Sequence, residues 1–264
     1  MEIKPAESSR NTVGSVRWGE NSKGVLIGDE KSRLMENLQV VMSQEHLDAE
    51  RHRLGLLNPK FIAIESLTPP DSKIVKEALA YAEETHVAPL LRHSWRTYYF
   101  GALIALHDEI EFDRELGFTA AILHDVGLTA RANPRPCDCC FAVSGALQTR
   151  DFLLRKGYSC TKADTVAHAI AVHMNLCVPV EEHGTIAFLV TRGAVCDVFG
   201  AGVSRMSPGS IKEVLAEFSR EDLYAVLRPT ACEHLPDTRL DVIFKAMSGA
   251  KEAPKHPLDM APYA

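Results

Sequence analysis

Residues 115–129 read ELGFTAAILHDVGLT, and this stretch decides what kind of fold the chain can have. Leu116, Ala120, Ile122 and Leu123 make it a predicted buried helix, with Gly127 as its stop. At the end of that apolar run stand His124 and Asp125, adjacent and without a basic neighbour. Burying a carboxylate beside an imidazole costs free energy unless something offsets the charge. A divalent cation does so directly, because both groups are ordinary metal ligands. A helix-end pair that merely caps and hydrogen-bonds is the plain alternative, and the dipeptide by itself leaves both open.

Outward from that stretch the chain reads as consistently helical. Ile74, Val75, Ala78, Leu79 and Ala82 fall at helical spacing, and residues 93–107 carry Trp95, Tyr98, Tyr99, Ala102, Leu103 and Leu106 on a broad apolar face. Ser144 is a candidate cap for a helix that Gly157 ends, and Thr161 with Asp164 resembles a capping box for one running to His173. Residues 185–199 form another, with Gly200 after it. The predicted fold is all-α, with strands scarce or absent. Thr68-Pro69-Pro70-Asp71 marks a boundary. Residues 1–68 are therefore expected to be an N-terminal extension: a loose polar arm to about residue 30, then a helix or two over 31–57. FIAIE (61–65) reads as a short extended run. Residues 69–249 are the helical domain and 250–264 a tail.

With 264 residues and 46% hydrophobic composition, the chain can bury a full core. The formal net charge is −6 and charges of both signs are well mixed, so nucleic acid is not an expected partner. No apolar run is long enough to span a bilayer, and MEIKPAESSRN lacks the layout of a secretion signal. Seven cysteines, an odd number lying mostly in apolar helical stretches, fit free thiols in a reducing cytoplasm. The expected partner is a small neutral substrate, with a homo-oligomer compatible with the sequence. Cys137, Cys139 and Cys140 lack the second ligand pair that structural zinc wants, and a loop is the default reading.

Four residues from three helices then belong together. His93 opens one helix, His124 and Asp125 end the next, and Asp197 lies on an apolar face with Ile186, Val190 and Gly193. No Lys or Arg stands at i±3 or i±4 from Asp197. Two His and two Asp make a mixed N/O donor set for one divalent transition metal, zinc first, with iron or manganese as alternatives. His173 shares a stripe with Val166 and Ile170 and is the candidate acid–base residue. His168 lies off that stripe and pairs on paper with Asp164. Trp95, Tyr98, Tyr99 and Asn175 are candidate substrate-lining residues, with ordinary core packing the competing role for the aromatics. His46, His52, His107, His183 and His234 read as surface residues.

The order His93, His124-Asp125, Asp197 resembles the HD-domain metalloproteins, and HSWRTYYFGALIA (93–105), AAILHDVGLT (120–129), FAVSGA (141–146), VAHAIAVHMN (166–175) and RGAVCDVFG (192–200) resemble the cyanamide hydratase branch. The resemblance covers roughly residues 70–230. It implies an HD-type helical bundle holding one catalytic metal with His93, His124, Asp125 and Asp197 as ligands. The implied reaction is hydration of a small nitrile such as cyanamide; Asp125 and, from its stripe, His173 are the candidate catalytic residues. Two positions depart from the pattern. Ala142 stands where that branch carries an acidic residue. Leu128 stands where many phosphohydrolases of the superfamily carry a phosphate-binding Lys, which disfavours phosphomonoester hydrolysis, the alternative activity.

Overall fold

The computed structural model describes residues 12–129, 140–232, 236–248, 256–260 and 263. Its helices are α1 (Val16–Ser22), α2 (Glu30–Arg53), α3 (Lys73–Thr85), α4 (Ala88–His107), α5 (Arg114–Leu123), α6 (Phe141–Arg155), α7 (Cys160–Val172), the single turn α8 (Val180–His183), α9 (Thr185–Phe199), α10 (Pro208–Glu217), α11 (Leu223–Cys232) and α12 (Arg239–Ser248). No strand occurs among the described residues, where Val25 and Thr238 make an isolated antiparallel bridge. The all-α expectation holds.

Local chemistry sets the helix starts. The side chains of Ser72, Asp113, Ser159 and Ser207 each accept a backbone N–H from the first turn of α3, α5, α7 and α10. The capping residue of α7 is thus Ser159 rather than Thr161, while Ser144 lies buried inside α6. Gly200, with φ 78°, ends α9 as expected. Helix α2 is one continuous helix, and the FIAIE run is not extended throughout, because Ile64–Leu67 closes into a 3-10 turn.

The bundle is built on the pair α4 and α9, which run antiparallel with backbones in contact. A Cβ on Gly193 would collide with the Thr97 carbonyl, and one on Gly101 with that of Leu189. Small residues at those two positions let the helix axes approach closely, and the same register sets Asp197 opposite His93. Around this pair, α3, α5 and α7 bury Ala78, Ala82, Phe118, Ile122, Val166 and Ile170 in one core.

The N-terminal arm is less loose than its composition suggests. Trp18 and Leu34 share a second apolar cluster with Phe141, Ala142 and Val143 of α6. Asn175 binds the arm through Val13 at 2.6 Å and α12 through Arg239 at 2.8 Å.

Candidate metal centre

Four histidine and aspartate side chains meet where α5 and α7 end against α4. His93 lies in α4, His124 is the C-cap of α5 with Asp125 next, and His173 is the C-cap of α7. All four are buried. Helix α5 stops at His124, three residues before Gly127, so Gly127 is not its terminator. A Cβ on Gly127 would collide with the Phe141 carbonyl, and its lack of a side chain lets the His124-Asp125 turn lie against α6.

Hydrogen bonds fix how each imidazole is protonated. Nδ1 of His124 lies 2.7 Å from the Ala121 carbonyl and Nδ1 of His173 2.6 Å from the Ile170 carbonyl. A carbonyl oxygen only accepts, so Nδ1 carries the proton in both rings and Nε2 is a bare lone pair. His93 follows the same rule with a carboxylate behind it, Nδ1 donating to Asp197 Oδ2 at 2.6 Å. The Nε2 atoms of His93 and His124 then face each other at 3.2 Å, and Asp125 Oδ2 stands 3.5 and 3.3 Å from them. Two lone pairs and a carboxylate oxygen so close repel unless a cation lies between them. Tetrahedral bonds of 2.0–2.1 Å separate ligand nitrogens by about 3.3 Å. These three residues therefore fit a divalent metal, and all three donors lie within 4.8 Å of one another. The carbonyl-bearing ends of α5 and α7 add negative potential at the same place.

The electrostatics agree. Burial would raise the Asp125 carboxyl, but the facing imidazoles of His124, His93, His173 and His86 outweigh it and hold the group below the usual carboxylate range. Burial pushes His124 down, and together with His124 it takes His173 to about 3. At neutral pH both rings are free bases, the form that ligates metals or accepts protons.

Asp197 is not among the converging donors. Its Oδ1 accepts from Arg96 Nε at 2.8 Å and from Arg220, and its Oδ2 from Arg96 Nη2 at 2.7 Å and from His93. Burial would raise this carboxyl, yet Arg96 and His93 hold it well below the ordinary range. The carboxylate stands behind His93 and orients its ring, where the sequence had placed it on the ion. Arg96 comes from α4 and Arg220 from the segment after α10, so neither stands at i±3 or i±4 from Asp197 on α9. Arg96, three residues after His93, shares its side of α4, and this was the available signal.

The substrate-lining residues also come out differently. Trp95, Tyr98 and Tyr99 stand about 120–160° away from His93 round α4 at 100° per residue. They pack with Phe118 and Phe218, and the Tyr98 hydroxyl donates to the Leu67 carbonyl at 2.9 Å. Their role here is core packing. The Asn175 side chain is spent on Val13 and Arg239, so it ties the termini together instead of lining the site. His173 is where the stripe predicted it, with Nε2 4.0 Å from Asp125 Oδ1. Asp164 pairs with Arg150, and His168 stacks instead on His183, which is buried and not a surface residue. Cys137 and Cys139 lie outside the described residues; Cys140 is buried and accepts from Arg239 at 3.2 Å.

Comparison with known proteins matches residues 90–190 to the HD domain. His93, His124, Asp125 and His173 fall inside that segment and Asp197 beyond it. Two curated relatives, cyanamide hydratases DDI2 and DDI3 of Saccharomyces cerevisiae, are each 29% identical over 112 residues, 41% of this chain and 49% of theirs. The chain thus spans about half the length of the curated relatives it matches.

Proposed function

We propose that this chain, whose residues 90–190 match the HD domain, is a metal-dependent hydratase that adds water to a small nitrile such as cyanamide, giving urea. The observation that carries this is the set of bare donors, His93 Nε2, His124 Nε2 and Asp125 Oδ2, converging in a buried site. When bound, a divalent metal, zinc before iron or manganese, supplies Lewis acidity and brings the pKa of water toward neutrality. His93, His124 and Asp125 are its ligands, and Asp197 acts through His93 as a positioning residue.

The chain's own residues account for the protons. His173 rests with a bare Nε2, so it begins as an acceptor. As the water oxygen bonds to the nitrile carbon, His173 Nε2 takes the water proton and returns it to the nitrile nitrogen. The product is the imidic acid, whose tautomer is the amide; with cyanamide it is urea. Burial of all four side chains keeps bulk water from competing for those protons.

Phosphomonoester hydrolysis, the other activity of this class of site, finds less support. Arg96 and Arg220 are committed to Asp197, and Leu128 occupies the position of a phosphate-binding Lys. Among the described residues no Lys or Arg pairs with Asp125. A neutral nitrile suits that surface better than a polyanion.

The test is to strip the protein with a chelator, reload it with zinc, iron or manganese, and assay urea from cyanamide beside phosphate from nucleoside monophosphates. Urea formation that depends on metal and vanishes in His124→Ala is expected. Phosphate release without urea, or no turnover at full metal occupancy, overturns the reading.

A further inference from the structure

Three helices are C-capped by a histidine whose Nδ1 binds a carbonyl of the last turn. His86 is the C-cap of α3, as His124 is of α5 and His173 of α7. Like theirs, its Nδ1 binds a carbonyl of the helix's last turn, Ala82 at 3.1 Å. Thr85 Oγ1 lies 2.9 Å from the same nitrogen, but that hydroxyl donates to the Tyr81 carbonyl and can only accept from the ring. Nδ1 therefore carries the proton and Nε2 is a bare lone pair. His86 is buried, and its Nε2 finds no hydrogen-bond partner among the described residues.

His86 precedes His93 by seven residues, with only Val87 between it and α4, and α3 packs on α5, which ends at His124. Burial takes His86 down to about 4, while the Asp125 carboxylate acts on its ring in the opposite direction. Asp125 in turn feels His86 together with His124, His93 and His173. An acceptor left empty in a buried site is costly, so such a group calls for a ligand that brings a hydrogen. Metal, carboxylate and the other imidazoles of the site bring none. An amino group does.

We propose that His86 is a specificity-determining residue whose Nε2 accepts an N–H from the substrate's amino group, so that the site selects nitriles bearing an amino group on the nitrile carbon over those without an N–H. The inference rests on the hydratase reading and narrows its substrate. The amino nitrogen of cyanamide offers two hydrogens. One donates to His86 Nε2, while the nitrile carbon takes the water oxygen and the nitrile nitrogen takes the proton from His173. A fully ionised phosphate ester would set lone pairs against this nitrogen.

The experiment uses the full zinc-loaded chain with two readouts. The first compares kcat/KM for cyanamide and for its N,N-dimethyl derivative, which lacks the N–H, in wild type and His86→Phe. The ratio is expected to fall about 10–100-fold in the variant, with zinc content unchanged. The second follows the nitrogen-15 resonance of His86 Nε2 in wild-type protein as urea or tetramethylurea is added. Urea, with its N–H groups, is expected to shift it and tetramethylurea to leave it in place. This readout needs no turnover and no variant, so a urea-specific shift in a protein that fails to hydrate cyanamide would refute the hydratase reading and leave the acceptor standing. Equal loss on both substrates, no shift with urea, or a shift on zinc loading instead would each overturn the proposal, the last by making Nε2 a metal ligand.

Discussion

Replacing Asp197 by Asn separates a positioning carboxylate from a metal ligand. The Asp197 carboxylate is fully buried and holds Arg96, itself fully buried, Arg220 and the Nδ1–H of His93. Asparagine keeps the shape but leaves the buried Arg96 guanidinium without its counter-charge, while Arg220 keeps Asp259. Breaking one side of a buried pair costs about 3–5 kcal/mol. For a chain of this size each kcal/mol moves Tm by about 2 °C, so metal-free Asp197→Asn should melt roughly 6–10 °C below metal-free wild type. His124→Ala removes one hydrogen bond, to Ala121, and leaves His93, His173 and His86 facing Asp125, so it should cost less, about 1–3 kcal/mol. Metal affinity should order them the other way. His124→Ala loses a ligand outright, whereas Asp197→Asn only loosens the ring of His93, a change worth about 10–100-fold. Calorimetric melting of the stripped proteins and zinc titration of each give both numbers. If Asp197→Asn melts with wild type and binds no zinc, Asp197 is a ligand and the reasoning from its arginine pairs is wrong.

Other expectations follow from the same geometry. His173→Gln should retain metal and fold while kcat for nitrile hydration drops about 10²–10⁴-fold, as steady-state kinetics beside elemental analysis would show. Metal-free protein should lose stability as pH falls from about 6.5. The ordinary histidine pKa holds in the unfolded chain, whereas burial takes His86 to about 4, so the unfolded state binds its proton first. By pH 4 that residue alone costs on the order of 3 kcal/mol, readable from urea melts at pH 7, 5.5 and 4. Gly193→Ala should destabilise by at least about 1–3 kcal/mol, because its methyl meets the Thr97 backbone and forces α4 from α9. The zinc affinity of that variant should fall as well, since the same contact sets His93 against Asp197.

The helices were legible because their signals are local. The apolar spacing of α5 and the stop at Gly200 need no partner to be read, and neither does the stripe that points His173 inward. The adjacency of His124 and Asp125 also survives any error in helix ends, even though α5 stops before Gly127 rather than at it. What escaped the sequence depends on elements far apart in the chain. Asp197 looked like a ligand because its counter-charges come from α4 and from the segment after α10, and nothing on α9 announces them. The polar first 30 residues looked loose because the surface receiving Trp18 is built by residues 141–143. Trp95, Tyr98 and Tyr99 were a failure of another kind. Their angular distance from His93 on one helix was already countable, and it puts them in the core.

The metal-dependent reading requires one divalent cation held by His93 Nε2, His124 Nε2 and Asp125 Oδ2. Anomalous diffraction at the zinc edge from crystals of zinc-loaded protein tests it most directly. A single peak bonded to those three atoms is expected, with Asp197 still paired to Arg96 behind His93. A peak elsewhere, or three side chains turned away from the ion, would contradict it.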